Sequence, residues 1–162
     1  MKKFFIIIFF YFFITATYSA STKSGKGEAE GNDGPPAASS YKLGSKYVLA
    51  AEKLEKKGKI KKAKKKYKKA LEFLFEANEE TSGDPDILDY LGFASSKLGN
   101  YENAEIYYLL GLSFDPNHKG LNKHLGELYL TTDRKDKALK QLKILKTCNC
   151  EEYNKLKKLI GI

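Results

Sequence analysis

The chain has 162 residues, a formal net charge of +9 and apolar side chains at 42% of its positions. Its length suits one domain of ordinary size. Part of the apolar content is an N-terminal run that cannot join a core, which argues against a deep globule and for stacked helices.

Residues 1–20 read as an export signal. Lys2 and Lys3 form a basic start, and Phe4 to Ile14 is unbroken apolar chain of the length usual for a secretory signal. The run is shorter than the roughly 17 residues a helix needs to cross a bilayer. Cleavage contexts occur at Thr17-Tyr18-Ser19 and Ser19-Ala20-Ser21, and an uncleaved membrane anchor is the alternative. The expected location is the periplasm. Residues 21–40, STKSGKGEAEGNDGPPAASS, hold no large apolar side chain. Such a stretch buries too little surface to offset chain entropy and reads as a disordered linker.

From Tyr41 the pattern turns helical. Residues 41–84 divide at Gly58 into a helix from Tyr41 to about Lys57 and another from Lys59 to about Asn78. Tyr47, Ala50, Ala51 and Leu54 are the expected packing stripe of the first. Ile60, Ala63, Tyr67, Ala70, Leu71 and Leu74 recur at helical spacing in the second, with Lys61, Lys62, Lys64, Lys65, Lys66, Lys68 and Lys69 filling the rest of its first half. This helix is longer than its successors, leaving Phe73 and Phe75 free to pack on the next pair. Gly83 can stop it in a left-handed turn, Asp84 can cap the following helix, and Pro85 suits that helix's first turn. Residues 85–118 give helices over about 86–98 and 101–114, and residues 119–150 give helices over about 119–131 and 135–147. Residues 151–162 form a last helix with Tyr153, Leu156, Leu159 and Ile160 on one side and lysines on the other.

Landmarks recur along this region. Gly126 follows Gly92 by 34 residues and Ala138 follows Ala104 by 34. Leu88-x2-Leu91-Gly92-x2-Ser95, Ala104-x3-Tyr108 and Pro116 resemble the signature of the tetratricopeptide repeat, a helix-turn-helix unit of that period. Leu125-Gly126-x2-Tyr129 and Ala138-x3-Leu142 restate it, and Ala51 and Ala63 keep the same internal offset upstream. The resemblance implies an all-α, right-handed stack of three repeats, over 41–84, 85–118 and 119–150, closed by a capping helix over 151–162. Region 41–162, with DPNHKG, LGELYL and a cysteine pair running into EEY, is similar to short exported tetratricopeptide proteins of alphaproteobacteria. Those proteins carry no assigned activity, and their cysteines stand further apart than Cys148 and Cys150.

A repeat fold implies a scaffold and not a chemistry, so function has to come from sites. His118 and His124 lie six residues apart and cannot share a metal from one helical face. No zincin, nucleophile-elbow or phosphate-loop motif occurs. Neither an enzyme nor a cofactor or metal is expected. Cys148-Asn149-Cys150 is a candidate for a small structural bridge. The alternative function rests on the same pair, as a thiol-redox or copper-handling site. The lysine-rich helix reads as a solvated face, with weak, salt-sensitive contact to an anionic membrane surface as its alternative. Nucleic acid is not expected, because export removes it and aromatic interleaving is missing.

What remains is the concave face lined by the first helix of each repeat. Its expected rows are Val48, Leu49, Glu52 and Lys56; Asp86, Asp89, Tyr90, Phe93 and Lys97; and Lys123, His124, Glu127 and Leu130. Tyr90, Phe93, Lys97, Lys123, His124 and Glu127 are the candidate contacts for a peptide or partner protein. A version of this fold that clamps a chain-terminal carboxylate with paired Lys and Asn is not matched, since Glu52 and Tyr90 stand where its asparagines would. The other readings are a face that binds nothing, or one covered by the linker itself. Three units make a short groove, of the kind a second chain often completes. The expected function is a non-catalytic interaction module of the cell envelope.

Overall fold

In a computed structural model, residues 37–162 are described. The expected export signal and most of the expected linker lie outside them. Seven α-helices follow in order: α1 Ala37–Lys56, α2 Ile60–Glu80, α3 Pro85–Leu98, α4 Tyr101–Phe114, α5 Lys119–Thr131, α6 Lys135–Leu145 and α7 Glu151–Ile160. A short 3-10 turn, Lys146–Cys148, joins the last two. No strand occurs among the described residues. No helix among them is long and apolar enough to cross a membrane.

The helices pack as consecutive pairs, α1 with α2, α3 with α4 and α5 with α6, and α7 lies against both members of the last pair. The turns that make the pairs have a common cause. Gly58, Gly99 and Asp133 take φ of 68°, 88° and 57°, the left-handed region that lets a helix end and the chain reverse. Aspartate is one of the few non-glycine residues that tolerates this region, and here it holds the place glycine holds in the two earlier turns. Between pairs, Asp84 caps α3 as its sequence implies. Its carboxylate accepts from the Asp86 and Ile87 amides at 2.9 and 3.1 Å, with Pro85 in the first turn.

Helix α1 departs from expectation at its start and in its stripe. It begins at Ala37, so residues 37–40, read as linker, are helical. Ser40 is fully buried. The buried row is Ser40, Gly44, Val48 and Ala51; of the expected stripe Ala51 belongs to it, while Tyr47 and Leu54 are partly buried against the same core. Small side chains explain both differences: they let α1 approach α2 so closely that a Cβ at Gly44 would meet Leu74 at 2.6 Å. Of the residues read as linker, Ser40 joins this close-packed row. Tyr47 is turned aside onto Phe73, with ring centroids 5.6 Å apart and planes nearly parallel. Phe73 thus packs on α1, and only Phe75 reaches the second pair, at 6.3 Å from Tyr107. The ammonium groups of Lys66 and Lys69 lie over the Tyr47 and Phe73 rings at 4.9 and 5.0 Å. Aromatic rings do interleave with this lysine-rich surface, one of them supplied by the neighbouring helix.

Glycine sets the spacing within the later pairs. A Cβ at Gly92 would overlap the Tyr108 ring, and one at Gly126 would meet Leu156 of α7 at 2.5 Å. The hollow at Gly126 is thus filled by Leu156 from α7, whereas the one at Gly92 is filled from the pair's own second helix. It is fully buried with Ile160 beside it, while Leu159 stays exposed, which corrects the expected stripe of α7.

Candidate functional site

Helix α3 touches both α1 and α5, and residues of all three line one face. Two cavities adjoin on it. One, of about 340 Å³, is bounded by α1, α3 and the start of α5, and includes Tyr41, Glu52, Asp86, Tyr90 and Lys123. The other, of about 280 Å³, lies between α3, α4 and α5 and includes Lys97, Tyr101, Tyr108 and Glu127. Phe93 and His124 belong to both walls. All six expected contact residues, Tyr90, Phe93, Lys97, Lys123, His124 and Glu127, therefore line one groove.

Their roles within it differ. His124 is the partition between the cavities. Its Nδ1 lies 2.7 Å from Asp89 Oδ1, with both side chains about 15% exposed. Its ring sits 4.7 Å from Phe93 and stacks on Tyr108 at 6.1 Å. Gly120 makes room for this pair, since a Cβ there would collide with the Asp89 carboxylate. Phe93 is also packed edge-on to Tyr67. Lys97 is held by Glu55 at 2.9 Å, and the same carboxylate oxygen accepts from the Tyr67 hydroxyl at 3.1 Å. Tyr90 meets Tyr41 edge-to-face at 5.8 Å. Lys123 and Glu127 form no ion pair among the described residues.

His118 completes the first cavity. Its Nδ1 accepts from the Leu121 amide at 3.2 Å, which leaves the Nε2 proton to donate to Asp86 Oδ1 at 3.1 Å. Buried Asn122 fixes the loop that carries it, donating through Nδ2 to the Pro116 and His118 carbonyls. The two histidines thus tie α5 to α3 through separate aspartates.

The tyrosines report the electrostatics. Burial, then the nearby Asp86 charge, pushes Tyr41 up to about 12. Burial first, and Asp89, Glu52 and Asp86 after it, raises Tyr90. Burial first, with Asp89 and Glu127 after it, raises Tyr108, and burial with Glu55 raises Tyr67. Sequence reasoning missed Tyr41, Glu55 and the histidine–aspartate ties. Tyr41 was within reach of the helical period, since it stands two turns before Val48 on the face that Val48 and Glu52 share. The ties were not, because they join residues 32 and 35 positions apart.

Cys148 and Cys150 are bridged, with Cα atoms 5.1 Å apart and Asn149 at φ 45° between them. Neither sulfur is a free thiol in this form, so copper capture or thiol exchange would first need reduction. No group of three or more potential metal ligands converges among the described residues.

The sequence matches the tetratricopeptide repeat family over residues 90–118. The helical pairs superpose on solved tetratricopeptide structures. The fold is that of the tetratricopeptide repeat. A thermophilic tetratricopeptide protein of Thermus thermophilus is similar at 22% identity and TM-score 0.63, over 77% of this chain and 62% of its own. PcrH, in complex with the chaperone-binding region of PopB, is similar at 19% identity and TM-score 0.59, over 77% of this chain and 91% of its own. The Yersinia enterocolitica type III secretion chaperone SycD, in complex with a peptide of the translocator YopD, is similar at 18% and 0.53, over 72% and 86%. This chain spans under two thirds of the Thermus tetratricopeptide protein's length. No curated protein matches the sequence.

Proposed function

We propose that this tetratricopeptide chain is a non-catalytic interaction module of the cell envelope that holds a peptide or partner protein in the α1–α3–α5 groove. The observation that carries the reading is the pair of adjoining cavities, in which aromatic side chains and charges of both signs from the first helices of three successive pairs share one face. Aromatic and charged groups on a preformed concave surface suit an extended segment better than a small metabolite. Two structural neighbours, PcrH and SycD, are themselves complexed with segments of other proteins. The envelope location rests on the basic and apolar pattern of residues 1–20.

The test is crosslinked capture from the periplasm with the intact chain and with Tyr90→Ala combined with Lys123→Glu. Phe93 is better replaced by Leu than by Ala, because it also packs on Tyr67 and His124. The expected result is loss of a specific partner with unchanged helical circular dichroism. Equal capture by the variant would move the site off this face, and recovery of the chain in the cytoplasmic fraction would end the envelope reading.

A further inference from the structure

The charge of this chain is unevenly placed. The net balance is +9, and α2 alone exposes Lys61, Lys62, Lys64, Lys65 and Lys68 on the side away from the groove. The cavity between α1, α3 and α5 reverses that sign: Glu52, Asp86 and Asp89 line it against Lys123. Asp89 is engaged by His124, but Asp86 keeps 68% of its side chain exposed beyond its bond to His118. Glu52 forms no ion pair among the described residues. The carboxylates do not stand alone. Tyr41 and Tyr90 meet edge-to-face at the same cavity, which leaves ring surface beside the acidic groups.

Aromatic faces beside carboxylates favour a cationic side chain. The alkyl stem of a lysine or arginine gains apolar contact on the rings, its charge gains from their quadrupoles, and its head reaches an acceptor. An acidic side chain at the same place would meet like charge. We propose that this end of the groove is a subsite for a lysine or arginine side chain, so that the partner presents a basic extended segment. The inference rests on the groove reading above and names the chemistry of its ligand. The positive chain as a whole repels a basic peptide at long range, so a preference for one reports the local pocket and not the net charge.

The test is fluorescence polarisation of the purified full chain with two labelled synthetic peptides, one of Ser, Leu and Lys and its counterpart with Glu in place of Lys. The lysine peptide is expected to bind about tenfold or more tightly than the glutamate peptide. Glu52→Gln with Asp86→Asn should remove the discrimination. Glu52→Gln alone, which leaves the Asp86–His118 tie intact, should reduce it. Glu79→Gln, exposed on α2 and outside the groove, should leave it unchanged. Equal or tighter binding of the glutamate peptide, survival of the preference in the double variant, or no binding of the lysine peptide would overturn the proposal. A rise in lysine-peptide affinity on Lys23→Ser with Lys26→Ser would also overturn it, by assigning the subsite to the chain's own linker. If the lysine peptide fails while Tyr90→Ala with Lys123→Glu still abolishes partner capture, the subsite falls and the groove function stands; if capture is also indifferent to those substitutions, the groove function falls.

Discussion

Tyr41 shows how much one side chain can say about this face. Its phenol is packed edge-on to Tyr90 and lies within the field of Asp86, and burial with that charge lifts it from 10.0 to about 12. A phenol with a higher pKa in the folded than in the unfolded chain binds its proton more tightly when folded. Its contribution to stability is therefore complete below pH 10 and is lost as the pH climbs to about 12. Urea midpoints measured across that window should fall with pH, and Tyr41→Phe should make the fall shallower. Equal slopes for the two proteins would mean that Tyr41 is not held neutral by its surroundings. The sequence made Tyr90, Phe93, Lys97, Lys123, His124 and Glu127 legible as one face because helical period aligns each row along its own helix and the resemblance to the tetratricopeptide repeat implies that the first helices of successive units share the concave side. It did not distinguish the partition, His124, from the open wall, Lys123. That difference comes from Asp89 and Tyr108, which approach from other helices and leave no trace in local spacing.

At the scale of elements, period and turn chemistry carried the reading and small residues defeated it. Gly58, Gly99, Gly83 and Asp84 have roles fixed by their own backbone needs, so the helix ends they mark were readable. Ala37 to Ser40 have no such signature. Their composition fits a linker, and only the closeness of α2 turns the small side chain of Ser40 into a packing residue. The last helix illustrates the same point from the other side. Its capping role was visible in its amphipathic pattern, but the choice of Leu156 over Leu159 depends on the hollow at Gly126. Leu156→Ala should leave that hollow unfilled and destabilise the protein by about 2–5 kcal/mol, as buried leucine truncations do. Leu159→Ala, at 59% exposure, should cost under about 0.5 kcal/mol. Chemical denaturation of the two variants checks the contrast, and equal losses would place α7 differently on the third pair.

The whole folded region is a chain of neighbour contacts, and its core divides accordingly. Val48 to Ala94 form one buried cluster across α1, α2 and α3, and Ala104 to Ile160 form a second across α4 to α7. The division runs inside the second helical pair. The contacts that span it include the seat of Tyr108 on Gly92, the hydrogen bonds of His118 to Asp86 and His124 to Asp89, and the ring contacts of Phe75 with Tyr107 and His124 with Phe93, so the groove floor is also part of the seam between the clusters. In repeat architectures stability is nearly a sum of local terms and nearest-neighbour interfaces, and parts can open separately. Leu125 is fully buried within the second cluster. Leu125→Ala should lower native-state hydrogen-exchange protection by about 2–5 kcal/mol in α4 to α7 and by much less in α1 and α2. An even loss along all seven helices would show that the seam transmits the full destabilisation and that the clusters unfold as one. If the loss is uneven, a ligand that bridges the two cavities should raise protection on both sides of the seam together, because it binds only when both halves are folded.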